Sequence, residues 1–403
     1  MPIQTPVLEA DHPPALPQTP IDAALDAALI EQRLVGAVVL VAQHGQLVYA
    51  RAAGFADREA QRRMRTDALF RLASVSKPFV STAAMILVGQ GRIGLDDTLE
   101  RWLPEFQPRL ADGAPARITV RQLLSHTAGL GYRFFEADEQ GPLALAGVSD
   151  GMDSTPITLT ENLRRIATVP LQYEPGAGWG YSLATDVLGA LIERICEMPL
   201  GAALQQLLAG PLDLRDTAFV AVDASRLATP YVSESPQPRR MRELDVVPAF
   251  EGTVGIRYAP ARALDATAFA SGGAGMTGSA GDFLRLLELL RQGGGELLPA
   301  ALVEEMGRNQ TGELELPNSP GFGFGLGFSV LRDPIAAASP ESAGTWRWGG
   351  AYGHSWWVDR AQGLSVVAFT NTLYEGMSGR FVTDLRDAVY AHLPAWKNVE
   401  QAA

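Results

Sequence analysis

Two apolar runs around a polar pair stand out near the start of the chain. In VGAVVLVAQHGQLVYARAAGF (35–55), β-branched and aliphatic residues on either side of His44-Gly45 predict a hairpin, with His44 in its turn. Toward the other end, SWWVD (355–359) and LSVVAFTN (364–371) predict two more antiparallel strands joined by the turn RAQG. Between these the period changes. Short runs with apolar residues three and four apart, TVRQLL, TENLRRIA and YSLATDVLGALIERI, lie within 115–255 and are separated by Gly and Pro. AGDFLRLLELLRQG (280–293) reads as a strongly periodic helix, and Ser279 three residues before Asp282 predicts a capping box. The pattern predicts an α/β (α+β) architecture in which the two ends of the chain, 21–114 and 256–403, build one α/β domain. A mainly helical domain would occupy 115–255, and an N-terminal arm 1–20. No fixed-period repeat is present, which argues against a solenoid.

Composition narrows the function classes. With 403 residues, 47 % hydrophobic and 19 % charged, the chain can bury one large core or two lobes and is too apolar to be disordered. Its formal charge of −12 argues against nucleic acid or an anionic membrane as partner, since both need clustered Lys and Arg. Small neutral substrates are easier to accommodate. The segment MPIQTPVLEADHPPALPQTP has six prolines and no continuous apolar run, so it reads as an extended arm or loose tail, not as a signal peptide. No segment approaches the ~18 apolar residues of a membrane span. A cytoplasmic location is expected, which the single Cys196 fits. Cys196 reads as a small core residue on a helix face with Leu188, Leu191, Ile192 and Ile195.

Two serines compete as nucleophile. GVSDG (147–151) fits the G-x-S-x-G elbow of α/β-hydrolases and points to Ser149. An elbow needs a buried strand before the serine and a helix at once after it. Here EQGPLALA precedes and MDSTPIT follows, which predicts a loop. In FRLASVSKPFVSTAAMILVGQG (70–91), a β-like run stops at Ser74 and an apolar helix begins, with Pro78 in its first turn, where a missing N–H costs little. Ser74 is thereby placed at a helix N-terminus, whose free N–H groups favour a developing oxyanion. Lys77, three residues on, shares its face and can take the serine proton if burial lowers its pKa. The tetrapeptide S-x-x-K taken alone also fits an exposed Lys beside a capping serine.

SVSK followed by PF, then LLSHTAGL (123–130), YSL (181–183), SGGAGMTGSAGDFLRL (271–286), GFGFGLGF (321–328) and WGGAYGHSWW (348–357) together resemble the serine β-lactamase and penicillin-binding-protein superfamily. Within it, the sequence is most similar to the family VIII carboxylesterases of the EstB type, over about 36–392. The resemblance implies a β-lactamase-like fold, with an antiparallel sheet flanked by helices plus a mainly helical second domain. It implies Ser74 as acylated nucleophile, Lys77 as base and Tyr181 as proton relay. It also implies that Trp348-Gly349-Gly350 stands where relatives carry K-T-G, so that the Ala351 N–H completes the oxyanion hole with that of Ser74. No metal or organic cofactor is implied, and the oligomeric state stays open.

Two departures bear on the substrate. Trp348 replaces the Lys that would hold a substrate carboxylate, and Leu183 replaces an Asn that would bind a β-lactam side chain. Arg347 points to the opposite face of its strand from Trp346 and Trp348. Both changes favour small neutral esters, in a pocket lined by Trp348, Trp356 or Trp357, Leu183 and Phe134 or Phe135. Hydrolysis by a two-step acyl-enzyme route is expected, with acyl transfer to an alcohol as its variant. A β-lactamase or D-amino-acid peptidase of the same fold is the alternative, and a non-catalytic binding member a second. A Ser-His-Asp enzyme would draw on His126 or His354; His126 fits better a helix cap or a loop tie, while His354 adjoins the oxyanion strand and is a candidate to touch substrate. GAGMTG (273–278) spells a dinucleotide motif with no βαβ unit around it, so it reads as a glycine turn before a capped helix. No H-E-x-x-H or paired C-x-x-C supports zinc.

Overall fold

Strand Gly36–Gln43 is buried along its whole length, and alternation divides its side chains between two cores. Val39 and Val41 pack with Trp357, Val366, Phe381, Leu385 and the helix residues Ile21 and Leu25, whereas Val38 and Leu40 pack with Phe283, Val367 and Phe369. These contacts come from a computed structural model that describes residues 19–400, the side chains of 397–400 excepted. The expected arm over 1–20 lies almost wholly outside the described residues.

The hairpin expected around His44-Gly45 is present. Gly36–Gln43 pairs with Gln46–Asp57, and His44 takes a left-handed φ of 49° in the turn. On its other side Gly36–Gln43 pairs with Leu364–Thr370, which pairs with His354–Asp359, joining the two ends of the chain in one sheet. The full order of this eight-stranded antiparallel sheet is Phe322–Phe324, Ser329–Leu331, Trp346–Gly350, His354–Asp359, Leu364–Thr370, Gly36–Gln43, Gln46–Asp57 and Arg62–Arg63. Helices Pro20–Ile30 and Arg380–Glu400 cover one face, and Ala280–Arg291 covers the other.

The segment between the sheet's two halves carries the helices Val120–Leu124, Leu159–Thr168 and Ala184–Cys196, as the period predicts. It also holds two short strand pairs that the helical reading omits, Tyr231–Val232 with Arg239–Arg240, and Asp245–Val247 with Ile256–Tyr258. The capping box at Ser279 is half formed. The Ser279 hydroxyl accepts from the Asp282 N–H at 3.3 Å, but the Asp282 carboxylate turns instead to the N–H of Asp216 and the hydroxyl of Thr217. No helix among the described residues is long and apolar enough to cross a membrane.

Candidate active site

A short strand, Leu69–Arg71, pairs with Thr277–Ser279 and fixes the start of the turn that carries Ser74. The Leu72 N–H donates to the Met276 carbonyl at 2.9 Å, and the Ser76 hydroxyl accepts from the Met276 N–H at 3.2 Å, so the turn is tied down on both sides of Ser74. Ala73 is forced to a left-handed φ of 46°, a conformation that costs a residue with a Cβ about 1–2 kcal/mol. Ser74 itself sits in the 3-10 turn Ala73–Val75 that leads into helix Ser76–Gly89. That helix is buried on every side from Ser76 to Leu87, which is why Lys77 is only 1 % exposed.

Two polar groups meet at the Ser74 hydroxyl. Lys77 Nζ lies 3.3 Å from Ser74 Oγ and donates to the Gly273 carbonyl at 2.8 Å. The Tyr181 hydroxyl lies 2.6 Å from the same Oγ. Trp348 Nε1–H donates to the Tyr181 hydroxyl at 3.3 Å, fixing the phenol from its far side. The ammonium carbon chain of Lys77 ends 4.6 Å from the Tyr181 ring centroid and 5.5 Å from that of Tyr132. Tyr181 is not in a helix interior: it precedes Ala184–Cys196 and is held by the neighbouring Gly180 N–H and Ser182 N–H, which bond to the carbonyl and to Nδ1 of His126.

Gly273 closes this group from below, and here the structure brings in residues that spacing does not reveal. A Cβ on Gly273 would stand 2.6 Å from Asp186 Oδ2, 3.2 Å from the Tyr132 hydroxyl and 3.5 Å from Lys77 Nζ. Those three groups therefore converge on one glycine. Asp186 is fully buried, and both its oxygens lack a close hydrogen-bond partner among the described residues; Ser271 and Gly273 act on them from farther off. Burial pushes its carboxyl above the usual range, against the pull of Ser271 and the Lys77 and Arg262 cations. Tyr132 is likewise raised by burial and by the acidic groups near it.

Strand Trp346–Gly350 ends against the Ser74 turn. A Cβ at Gly350 would fall 2.5 Å from the Leu72 carbonyl and 3.1 Å from Val75, so only glycine permits this approach. Ala351 follows directly, and its carbonyl accepts from the Tyr258 hydroxyl at 3.3 Å. Gly349 packs on Met377, where a Cβ would lie 2.8 Å from its side chain. Trp348 is half-buried and faces Tyr181 and Phe324, with ring centroids 5.1 and 5.3 Å away. From Tyr181 an aromatic row runs outward through Tyr132, Phe134 and Phe135 to Phe250, the last two 38 % and 48 % exposed.

A family model described as Beta-lactamase matches residues 21–391. The chain belongs to the beta-lactamase family. It is 53 % identical over 372 residues to Esterase EstB of Burkholderia gladioli, covering 92 % of this chain and 94 % of that protein. It is 27 % identical over 420 residues to the lovastatin esterase of Penicillium rubens, covering 94 % and 99 %. Among solved structures it is similar to EstCE1, a hydrolase with promiscuous acyltransferase activity, with TM-score 0.89 and 46 % identity over 92 % of this chain and 97 % of that one.

Other residues that the sequence brought forward stand apart from the site of this beta-lactamase-family chain. Leu183 is fully buried as the residue before helix Ala184–Cys196, so it offers no surface to a substrate. Trp356 and Trp357 are sealed in the two cores on opposite faces of the sheet. His354 is also fully buried: Nε2–H donates to the Arg71 carbonyl at 2.8 Å, the ring packs on Phe70 and Phe369, and burial lowers its pKa to about 4. It braces the strand before Ser74 and has no face toward substrate. His126 ties loops, as its context predicts, with Nδ1 between the hydroxyl and N–H of Ser182. Ser149 is 1 % exposed in a loop and donates to Asp153 Oδ2 at 2.8 Å. Arg347 points away from Trp348 and pairs with Glu341 at 2.9 Å. The described residues contain no group of three His, Cys, Asp or Glu arranged to hold a metal.

Proposed function

We propose that the protein is a serine carboxylesterase that hydrolyses short-chain, neutral esters through an acyl-enzyme on Ser74. The observation that carries this reading is that Ser74 Oγ lies within reach of both Lys77 Nζ and the Tyr181 hydroxyl. Lys77 acts as the base that takes the Ser74 proton, and the alkoxide attacks the ester carbonyl. Electron density moves to the carbonyl oxygen, which the N–H groups of Ser74 and Ala351 stabilise. Collapse of the tetrahedral intermediate expels the alcohol, protonated through Tyr181. Water, activated by the same Lys77–Tyr181 pair, then releases the acid. The bond from Trp348 to Tyr181 keeps the phenol aimed at Ser74, giving Trp348 a positioning role as well as an apolar wall.

The neutral-substrate preference rests on Trp348, which puts an indole where relatives place a cation, and on the aromatic row leading to Phe135 and Phe250. This weighs against a β-lactamase or D-amino-acid peptidase. Acyl transfer is the second reading: an alcohol lying in that row replaces water as acceptor, in line with the activity named for EstCE1. A small-molecule ester acting in a reducing, cytoplasmic setting fits the single Cys196. The test is covalent. A fluorophosphonate probe followed by peptide mass spectrometry is expected to label Ser74, with p-nitrophenyl butyrate turned over rapidly and nitrocefin slowly. Label on Ser149, or rapid nitrocefin opening, contradicts the proposal.

A further inference from the structure

Behind the Ser74 turn, the buried Arg262 and the half-buried Arg71 stand without an acid at ion-pair distance. Arg71 donates from Nε to the Pro260 carbonyl at 2.8 Å and from Nη1 to the Ala228 carbonyl at 2.9 Å. Arg262, 8 % exposed, donates from Nη1 to the Asp153 carbonyl at 3.0 Å and from Nη2 to the Phe269 carbonyl, and its guanidinium lies 4.6 Å from the Phe269 ring centroid. All four acceptors are neutral. Among the described residues neither guanidinium has a carboxylate at ion-pair distance: Asp153, Asp186 and Asp265 act on Arg262 only from farther away, and no acid acts on Arg71. Other partly buried arginines are treated differently. Arg33, Arg226, Arg239 and Arg347 each hold a carboxylate.

Arg71 and Arg262 both line one cavity, together with Gly151, Ala274, Met276, Thr277 and Tyr352. The third nitrogen of each, Arg71 Nη2 and Arg262 Nε, has no hydrogen-bond partner among the described residues. Tyr352 is 5 % exposed, and its hydroxyl lies in the field of both cations. The side chains around it bring two guanidiniums, the Tyr352 phenol and the Thr277 hydroxyl, which donates to the Ala218 carbonyl, and none of them is acidic. The cavity volume is about 20 Å³, room for a single water-sized particle.

We propose that this cavity is a halide site, in which Arg71, Arg262 and the Tyr352 hydroxyl hold one chloride ion. Charge and size together select the ligand. Water satisfies donors but leaves both cations unneutralised, and the charge of the buried Arg262 is costly to leave unpaired. Burial already drags both guanidiniums below their ordinary pKa, as expected where no counter-ion is supplied by the chain. Phosphate or a carboxylate brings the charge but exceeds the volume. The site is separate from the ester chemistry, yet it adjoins it: Arg71 lies three residues before Ser74, its carbonyl holds His354, and Tyr352 follows Ala351. A bound halide ties the strand under the nucleophile to the loop that carries the Ala351 N–H.

The experiment is a salt series on the full chain at matched ionic strength, with sodium chloride, sodium bromide and sodium gluconate, gluconate being too large for the cavity. The Tm is expected to rise saturably with chloride and bromide relative to gluconate. Tyr352→Phe removes one donor to an anion and should raise the half-saturating chloride concentration about tenfold, since a hydrogen bond to a charged group is the stronger kind; Arg262→Met should abolish the rise. Crystals soaked in sodium bromide should show an anomalous bromine peak between Arg71 and Arg262. Equal Tm in chloride and gluconate overturns the proposal, as does a bromide-soaked crystal with only water in the cavity. If Arg262→Met does not fold, the wild-type salt series and the bromine peak decide alone.

Discussion

Removing the phenol oxygen of Tyr181 tests the proposed relay with little disturbance to packing. In Tyr181→Phe the ring keeps its neighbours, with centroids 4.9 Å from His126, 5.2 Å from Tyr132 and 5.1 Å from Trp348. What disappears is the 2.6 Å bond to Ser74 Oγ and the acceptor for Trp348 Nε1–H at 3.3 Å. Trp348 is only half-buried, so its N–H finds water, and the stability loss should be about 1 kcal/mol. The chemical loss is larger. A positioned proton-transfer group is worth about 10²- to 10⁴-fold, or roughly 3–5 kcal/mol of transition-state stabilisation. Because the hydroxyl touches the reacting oxygens and not the substrate's apolar parts, kcat should fall with KM nearly unchanged. The leaving group sharpens the test. An alkoxide leaves only with a proton, whereas p-nitrophenolate leaves without one, so acylation by ethyl butyrate should suffer more than acylation by p-nitrophenyl butyrate. Stopped-flow acylation rates for both esters, with Tm as a control for folding, provide the measurement. A variant that keeps more than about a tenth of wild-type kcat on ethyl butyrate would refute the relay.

Two further outcomes follow from the buried cluster around GVSDG. Ser149→Ala should leave ester hydrolysis close to wild type while costing about 1–3 kcal/mol in urea unfolding, because the Asp153 carboxylate loses a donor and the Gly151 N–H its acceptor; a loss of activity as deep as that of Ser74→Ala would contradict this. Asp150 is buried and its carboxyl is raised to about 7, chiefly by burial. Since the folded pKa lies above the unfolded value of about 4, the folded state holds the proton more tightly. That contribution to stability is complete below pH ~4 and is lost as pH rises toward 7. Asp150→Asn should flatten this part of the stability–pH curve, and an unchanged slope would rule Asp150 out as its source.

The parts of the molecule legible in the sequence are those set by local period or by short spacing. The 35–55 hairpin follows from two apolar runs around His44-Gly45, and Ser74 and Lys77 are brought together by three residues of one helical turn. Tyr181 is 107 residues from Ser74 along the chain, and only the resemblance linked them. Asp186 and Tyr132 carry no local mark, because they meet Lys77 through the absent side chain of Gly273, a feature of the tertiary fold alone. The misplaced residues fail for equally physical reasons. Leu183 lies two residues after Tyr181 but turns inward to start a helix, and His354 pairs across the sheet with Gly350 while its ring points into the Phe70–Phe369 core.

GVSDG shows how a motif can match in letters and act in another way. Its serine is locked between Asp153 and the Gly151 N–H, and its backbone is bracketed by the Asn162 amide, which bonds to both the N–H and the carbonyl of Ser149. The residue that reaches toward the site is the aspartate. Asp150 accepts the N–H groups of Arg133 at 2.9 Å and Phe134 at 3.1 Å, and so fixes the turn that follows Tyr132. Tyr132 in turn stacks on Phe134 with centroids 4.5 Å apart and lies beside Lys77 and Tyr181. The segment therefore braces from behind the aromatic wall against which Lys77 and Tyr181 are packed. Loosening it should reach the chemistry only through the placement of Tyr132, which is why Ser149→Ala and Ser74→Ala are expected to differ in kind and not merely in degree.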